Sequence, residues 1–177
     1  MDTNIKQKKL DELQGKVNLI FGKADCMKVL DKALGMDPRK IIDDVIKSGL
    51  RGRGGAGFST GIKWKGAAEA AGDIKYVLCN ADEGEPGTFK DRKILDEQAD
   101  KVIIGMAVCA KATGASEGYI YLRGEYNFLK PGLEAACEKW NGIFNSRGLN
   151  FKIYVRSGYG AYVCGEETAL IESIQGN

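Results

Sequence analysis

The sequence predicts an α/β fold: a parallel sheet with flanking helices. Three short segments rich in β-branched, aromatic and aliphatic side chains, at 74–79, 118–123 and 151–155, alternate with segments of helical apolar spacing. Strands that alternate with helices favour a parallel sheet, because each crossover helix returns the chain to the same edge. In such sheets ligands bind beyond the carboxyl ends of the strands. The loops that follow the predicted strands are therefore the expected ligand-binding positions.

The helices are predicted from capping residues and apolar spacing. Asp37 before Pro38 is a typical N-cap and first helical turn, and helical apolar spacing continues from there until Gly49. Residues 1–21 are predicted to form a loosely attached arm. The predicted helices cover 25–34, 38 to before Gly49, the region of Trp64 to Gly72, and about 96–113, 131–140 and 166–174.

Composition and charge exclude several classes of protein. The chain has 177 residues, 44% hydrophobic and 28% charged, which fits one globular domain. A net charge of +2 provides no basic field that would require a nucleic-acid partner. No apolar run approaches the roughly 20 residues that span a bilayer, and the polar start lacks a signal peptide's apolar core. We therefore expect a cytoplasmic protein without direct membrane insertion.

The cysteines and the absence of histidine limit the chemistry. The five cysteines include no CxxC pair, so neither a zinc site nor an iron–sulfur ligand run is predicted, and most are expected to be small core residues. The commonest general base is absent because the sequence has no histidine. If the protein takes part in chemistry, a bound cofactor is expected to supply the reactive atoms.

A glycine-rich segment, Ser48–Gly61, follows the second predicted helix. Its glycines permit positive φ and close approach of the backbone to a ligand, and successive N–H groups of such loops can bind an anion. Arg51 and Arg53 suit phosphate, and Phe58 offers an aromatic face. The segment predicts a ligand with a phosphate and a flat ring, with a flexible basic linker as the alternative.

An acidic segment, Asn80–Arg92, follows the first predicted strand. Three carboxylates, Asp82, Glu83 and Glu85, lie within four residues. Such a cluster can bind a metal ion, orient a ribose through its hydroxyls, or form a solvated turn. The spacing is not that of an EF-hand, and a carboxylate on a ribose is a known way to bind NAD.

A third segment, Ser157–Thr168, follows the third predicted strand and leads into the last helix. The free N–H groups of that helix's first turn can bind an anion or a ring carbonyl, and the adjacent glutamates can equally serve as first-turn charges. Tyr159 and Tyr162 can stack on a ring or pack in the protein, and Lys63, beyond the glycine-rich segment, can reach a phosphate or lie on the surface.

Four segments together resemble one family: Ser48–Trp64, Asn80–Arg92, Tyr119–Tyr126 and Gly160–Thr168. They are similar to the flavin-binding, NADH-oxidising 51 kDa subunit of respiratory complex I. The diaphorase subunits of NAD-linked and electron-bifurcating hydrogenases and of formate dehydrogenases share this domain. The resemblance runs from about Gly35 to the end and implies a Rossmann-like FMN/NADH-binding domain over 35–177, preceded by the N-terminal arm and short helix of residues 1–34.

The resemblance also implies a set of cofactor-binding residues. A backbone cradle around the two ligands would comprise Gly52, Arg53, Gly54, Gly55, Ala56 and Gly57. Phe58 would stack near the adenine of NADH, and FMN would be held by Lys63, Asn80 and Asp82. Glu83 would line the same pocket, and Glu85 would contact the nucleotide and help to select NADH over NADPH.

The last helix start would complete this site. By resemblance, Gly165 and Glu166 contact the flavin, Tyr162 faces the site, and Glu167 lies near the nicotinamide as the catalytic residue, acting as an electrostatic tuner. The implied reaction is hydride transfer between NAD(H) and FMN, with electrons passed singly to iron–sulfur clusters.

The implied partners are iron–sulfur subunits of a multi-subunit redox complex: a 24 kDa-type [2Fe–2S] subunit, or the catalytic subunit of a hydrogenase or formate dehydrogenase. In the family a [4Fe–4S] cluster belongs to a region beyond Asn177, together with a β-grasp-like domain, so the domain is expected to be truncated here. The alternative is a truncated, non-catalytic interaction or assembly subunit that keeps the fold.

Overall fold

The structure is a computed structural model that describes residues 20–53, 55–158 and 167–175. Its helices α1 to α6, strands β1 to β3 and one 3-10 helix are numbered here in chain order. Their bounds are α1 Cys26–Leu34, α2 Pro38–Lys47, α3 Thr60–Glu69, β1 Tyr76–Ala81, α4 Lys90–Thr113, β2 Glu117–Leu122, the 3-10 helix Gly124–Leu129, α5 Lys130–Ser146, β3 Lys152–Ser157 and α6 Glu167–Gln175.

The three strands form one parallel sheet in the order β1-β2-β3. Tyr76–Ala81 pairs in register with Glu117–Leu122, which pairs in register with Lys152–Ser157. Parallel neighbours need crossover connections, and α4 joins β1 to β2 while the 3-10 helix and α5 join β2 to β3. The predicted α/β fold with a parallel sheet and flanking helices is confirmed.

One face of the sheet carries the main core. Val77, Ile120 and Ile153 lie on this face and are at most 9% exposed. Helices α4 and α5 cover the face with apolar stripes of helical spacing. The buried residues of these stripes are Ile103, Met106, Ala107 and Ala110 on α4 and Leu133, Cys137, Trp140 and Phe144 on α5. Burying each large apolar side chain contributes about 1.5–3 kcal/mol, so these stripes determine how the helices dock.

The other face of the sheet carries a row of tyrosines. The ring centroids of Tyr76 and Tyr119 are 6.2 Å apart, and those of Tyr119 and Tyr154 are 5.5 Å apart. Towards the carboxyl ends of the strands, α6 contacts this face, since the Tyr121 hydroxyl lies 2.7 Å from Ser173 Oγ. Tyr121 therefore lies beside α6.

Helices α1 to α3 pack beside α4. Leu30 of α1 is 1% exposed within the main core, whereas Ile41 and Ile42 of α2 form a second cluster with Ala112 of α4. Asp37 caps α2 as predicted, because its carboxylate accepts the N–H groups of the first turn. The three helices thus belong to the same packed unit as the sheet.

Residues 20–22 also contact α4. The Lys101 ammonium donates hydrogen bonds to the carbonyl oxygens of Ile20, at 2.5 Å, and of Gly22. Most of the predicted N-terminal arm, residues 1–19, lies outside the described residues. The division of the chain at residues 34 and 35 stays a prediction.

Several predicted element bounds are wrong. Strand β1 begins and ends two residues later than the predicted 74–79, and α3 ends at Glu69 instead of reaching Gly72. Helix α4 begins at Lys90, six residues before the predicted start, and α5 continues to Ser146. Apolar spacing could not locate the first turn of α4, because that turn is polar and is held by a side chain from another segment.

Candidate functional site

The exits of the three strands are joined at the carboxyl edge of the sheet. The Arg123 N–H donates to the Ala81 carbonyl over 3.1 Å, and the Gly158 N–H donates to the Leu122 carbonyl over 2.7 Å. A Cβ on Gly124 would lie 2.6 Å from the Gly158 carbonyl oxygen, so only glycine fits at this approach. The carboxyl edge is the position where parallel α/β sheets bind ligands.

The acidic loop, defined here as residues 82–89, leaves β1 at this edge. Asn80 Oδ1 accepts the Asp82 N–H over 3.1 Å, an Asx-type turn that starts the loop. Further along, the Glu85 carbonyl accepts both the Thr88 N–H, at 3.2 Å, and the Thr88 hydroxyl, at 2.6 Å. These short-range bonds shape a loop in which Glu85 is exposed and Asp82 is half-buried.

The Glu83 carboxylate lies inside the protein, with its side chain 2% exposed. It accepts the N–H groups of Asp91, at 3.0 Å, and Arg92, at 3.4 Å, in the first turn of α4. The N-cap residue of α4 is Phe89, whose aromatic side chain cannot accept a hydrogen bond from the N–H groups of the first turn. Glu83 therefore acts as a remote cap, and its negative charge suits the positive end of the helix.

The charge of Glu83 is stabilised by these donors. Burial by itself raises the pKa of the carboxyl, but hydrogen bonds from the Asp91 N–H, the Tyr126 hydroxyl and the Arg92 N–H outweigh it, with Lys90 3.7 Å away. The pKa of Glu83 is therefore lowered, whereas burial raises that of Asp82. The neighbouring carboxyls thus differ in environment.

The 3-10 helix after β2 contacts the same loop. The Arg123 guanidinium donates to the Glu83 carbonyl oxygen and pairs with Glu125 at 2.7 Å. The Tyr126 hydroxyl donates to Glu83 Oε2 over 3.0 Å. Sequence reasoning gave Arg123 and Tyr126 no role, although both lie in the Tyr119–Tyr126 segment that resembles the family. The spacing of the segment carried no signal, since these contacts join residues 40 and 43 positions apart.

The glycine-rich loop, the part of the glycine-rich segment before α3, is a turn whose two ends are bridged to each other. Arg51 and Ser59 form an antiparallel bridge, and the Arg51 guanidinium donates to the Gly57 carbonyl over 3.1 Å. Gly57 has a φ of 67°, a left-handed conformation that side chains rarely adopt. One arginine of the pair predicted to bind phosphate therefore also holds the loop's own backbone.

Most residues of the glycine-rich loop are exposed. Gly52, Arg53, Gly55 and Ala56 are exposed, and a Cβ on Gly55 would contact nothing within 4 Å. Phe58 is 59% exposed, so its ring face is accessible for stacking. The loop thus presents exposed backbone, an arginine side chain and an accessible aromatic face.

Helix α3 places this loop away from the amino edge of the sheet. Lys75, which precedes β1, donates from its ammonium to the Ala68 carbonyl near the end of α3 over 2.6 Å. The glycine-rich loop lies at the opposite end of this helix, about 15 Å away along its axis. Lys63 is exposed in the first turn of α3, at the end of the helix that adjoins the loop.

The third predicted segment lies mostly outside the described residues. The residues left out include Gly54 of the glycine-rich loop as well as Tyr162, Gly165 and Glu166. Glu167 is the first residue of α6. Asn80 pairs in register with Tyr121, whose hydroxyl contacts α6, so Asn80 and α6 lie on the same face of the sheet.

The thiols in the described part of the chain have raised pKa values. Burial raises the pKa of Cys79 to about 12, helped by the negative charge of Asp91, and burial raises those of Cys109 and Cys137 to about 11. Cys137 is buried as predicted, the thiols of Cys26, Cys79 and Cys109 are half-buried, and Cys164 lies outside the described part of the chain. Thiolate chemistry is disfavoured at these sites.

Among the residues that the structure describes, no three His, Cys, Asp or Glu side chains are grouped so as to hold a metal ion. In the same residues no helix combines the length and apolar character needed to cross a membrane.

Comparison with known proteins identifies the domain. The Nuo51 FMN-binding domain family, the flavin domain of the complex I 51 kDa subunit, matches residues 45–177. The chain belongs to this family. Strand β1, the acidic loop and the 3-10 helix all fall within the matched range. The resemblance inferred from the four sequence segments is thus confirmed.

Curated relatives of this Nuo51-type domain come from hydrogenases and NADH-quinone oxidoreductases. The NAD-reducing hydrogenase HoxS subunit alpha of Cupriavidus necator is 47% identical over 162 residues, which cover 88% of this chain and 27% of that protein. One subunit of the NADH-quinone oxidoreductase of Aquifex aeolicus is 53% identical over 154 residues, covering 83% of this chain and 36% of the relative. The chain thus spans about a third of the length of these relatives.

A solved structure has the same fold. A crystal structure of an NAD+-reducing [NiFe]-hydrogenase in the H2-reduced state superposes with a TM-score of 0.83 and 42% identity, over 91% of this chain and 28% of that one.

A further relative, the NADP-reducing hydrogenase subunit HndC of Solidesulfovibrio fructosivorans, is 47% identical over 83% of this chain and 31% of its own length.

Proposed function

We propose that this chain forms part of the flavoprotein subunit of an NAD(H)-linked oxidoreductase, in which it binds FMN and NAD(H). The observation that carries the proposal is the ordered acidic loop at the carboxyl edge of the sheet, within a chain of the Nuo51 FMN-binding domain family. FMN would supply the redox chemistry by accepting or giving a hydride. The chain's residues would bind and orient the two ligands.

The proposed roles of the residues follow from the resemblance to the family. The backbone of Gly52 to Gly57, with Arg53, would cradle the ligands, and Phe58 would stack near the adenine. Lys63, Asn80 and Asp82 would hold FMN, and Glu85 would contact the nucleotide. Gly165, Glu166 and Tyr162 would complete the flavin site from the start of α6. Glu167, the first residue of α6, would act electrostatically near the nicotinamide.

The proposal extends to the protein's redox partners. The names of the relatives place those proteins in NADH-quinone oxidoreductases and in NAD- or NADP-reducing hydrogenases. Iron–sulfur subunits of such a complex would exchange electrons with the flavin. Because the named relatives include both NAD- and NADP-linked hydrogenases, Glu85 is the residue at which we expect the choice between the two nucleotides to be tuned. A cytoplasmic location remains part of the proposal.

A flavin titration tests the function directly. Purified chain is mixed with FMN, and binding is followed by the visible absorption and the quenching of flavin fluorescence. NADH oxidation is then assayed with an artificial electron acceptor. We expect saturable FMN binding and NADH-dependent reduction of the acceptor. Saturable FMN binding without turnover would favour the non-catalytic interaction subunit, and absence of both would contradict the proposal for this chain.

A matched variant makes the titration specific. Asp82→Asn removes one charge from the proposed flavin site, whereas Asp96→Asn removes one from an exposed position on α4. We expect only Asp82→Asn to weaken FMN binding. The expected loss of affinity is about tenfold, which corresponds to a lost contact worth roughly 1.4 kcal/mol.

A further inference from the structure

Residue 83 is held at two atoms by the segment that follows β2. The Arg123 guanidinium donates to its carbonyl oxygen, and the Tyr126 hydroxyl donates to its carboxylate over 3.0 Å. The same carboxylate accepts the N–H groups of Asp91 and Arg92 at the start of α4. Glu83 therefore connects the 3-10 helix to α4 across the acidic loop.

These contacts differ in kind from the other hydrogen bonds of the loop. The bonds from Asp82 to Asn80 and from Thr88 to Glu85 join residues two or three positions apart, so they shape the loop locally. The bonds through Glu83 join residues 8, 9, 40 and 43 positions apart. They fix the position of the loop relative to the sheet and to α4, which local turns cannot do.

We propose that Arg123 and Tyr126 are positioning residues which, through Glu83, hold the acidic loop in place before any ligand binds, with Asp82 and Glu85 directed to the ligand site. The ligand part rests on the proposed function above. A loop that is already ordered loses less conformational entropy on binding. We call the contacts of Arg123 and Tyr126 with Glu83 the clamp. Loosening the clamp should therefore weaken ligand binding, although neither Arg123 nor Tyr126 has to contact a ligand.

Two matched tyrosine variants test the clamp. Tyr126→Phe removes the hydroxyl that donates to Glu83, and Tyr119→Phe removes a hydroxyl that donates to Glu117 over 2.8 Å on the tyrosine face of the sheet. Hydrogen exchange of the ligand-free chain is then measured at single amides. We expect the protection factors of the Asp91 and Arg92 amides to fall about tenfold in Tyr126→Phe and to stay unchanged in Tyr119→Phe. Unchanged protection in Tyr126→Phe would overturn the proposal.

A measurement of FMN affinity distinguishes a positioning role of Tyr126 from a purely structural contact. FMN affinity is measured by fluorescence for the wild type and both variants, and we expect it to weaken about tenfold only in Tyr126→Phe. Lower amide protection in Tyr126→Phe together with unchanged FMN affinity would overturn the positioning role. A wild-type chain that does not bind FMN would refute the proposed function instead, and the exchange data would still decide whether the clamp exists.

A pH profile identifies Glu83 as the group through which the clamp acts. The charged and titratable groups around it are Lys90, Asp91 and Arg92 from α4, Arg123 at the N-cap of the 3-10 helix, and Glu125 and Tyr126 within that helix. Glu83 has a lowered pKa, so its ordering effect is complete above the ordinary glutamate value of about 4.3 and is lost as the pH falls through the lower folded value.

The variants predict distinct profiles. In Tyr126→Phe, protection of the Asp91 and Arg92 amides should be lost at a higher pH than in the wild type, because one donor to the anion is gone. In Glu83→Gln the acid-dependent loss at these two amides should disappear, with low protection at every pH. A Glu83→Gln chain that keeps the wild-type profile would show that another group, such as Asp91, controls the loop.

Discussion

Glu83 and Glu85 lie two residues apart and have opposite surroundings. The side chain of Glu83 is 2% exposed and accepts two N–H groups of α4, whereas Glu85 is exposed in the same loop. A buried carboxylate with its donors supplied by the protein organises the loop. An exposed one can approach a ribose hydroxyl or repel a phosphate. The two neighbouring charges therefore have separate roles in the proposed function.

The Glu85→Gln substitution tests the second of these roles. Because a carboxylate near the ribose disfavours a 2′-phosphate, we expect the ratio of kcat/KM for NADPH to that for NADH to rise about tenfold in the FMN-loaded protein. Glu138→Gln, at an exposed position on α5, is the matched control and should leave the ratio unchanged. An unchanged ratio in Glu85→Gln would refute a selective role for this residue.

Helices α2 and α3 pack tightly together at Gly61. A Cβ added there would lie 2.5 Å from Ile46 Cγ1 and 2.6 Å from the Ile46 backbone nitrogen. Because backbone lies on the other side of this contact, the two helices would have to separate to admit a methyl group. Helix α3 begins at Thr60, within the glycine-rich segment Ser48–Gly61, so this contact also fixes the end of that segment.

Two glycine substitutions in α3 should have opposite effects on stability. Gly61→Ala overpacks the contact with Ile46, and we expect a loss of about 1–3 kcal/mol in the free energy of unfolding. Gly66→Ala, where a Cβ would meet nothing within 4 Å, should gain about 0.5–1 kcal/mol from helix propensity. Urea unfolding followed by circular dichroism measures both. Equal effects of the two substitutions would contradict the close helix contact.

At the scale of the whole molecule, α4 connects the acidic loop to the opposite edge of the sheet. Near its middle, Asp100 accepts hydrogen bonds from the Trp140 indole N–H, at 2.6 Å, and from the Lys139 ammonium, at 3.0 Å, both on α5. Close to this point Gln98 has a non-helical φ of −135°, which marks a kink in α4. The two crossover helices are thus joined by a polar contact as well as by their apolar stripes.

Asp100→Ala should lower stability in a pH-dependent way. Burial raises the pKa of Asp100, but the hydrogen bonds from Trp140 and Lys139 outweigh it, and the pKa is lowered. The contribution is therefore present above the ordinary aspartate pKa of about 3.9 and is lost as the pH falls through the folded value. Since the side chain is 46% exposed, solvent screening limits the expected loss to about 1 kcal/mol at pH 7.

Urea unfolding at neutral and acid pH checks this expectation. The difference between the wild type and Asp100→Ala should shrink as the pH falls below about 4. Asp96→Ala, exposed on the same helix, is the control and should change stability by less than about 0.5 kcal/mol. A difference for Asp100→Ala that is the same at every pH would exclude the charge of Asp100 as its cause.

The sequence by itself determined the α/β class, the parallel sheet and the apolar stripes of α4 and α5, because periodic burial depends on local spacing that the chain carries openly. It also identified the glycine-rich and acidic loops, whose residue types are unusual enough to indicate ligand chemistry and the family. Only the tertiary structure decided that Glu83 faces inward, that α4 begins at Lys90 and that Arg123 and Tyr126 hold the loop. Those features depend on contacts between residues up to 43 positions apart, and no local pattern encodes such distances.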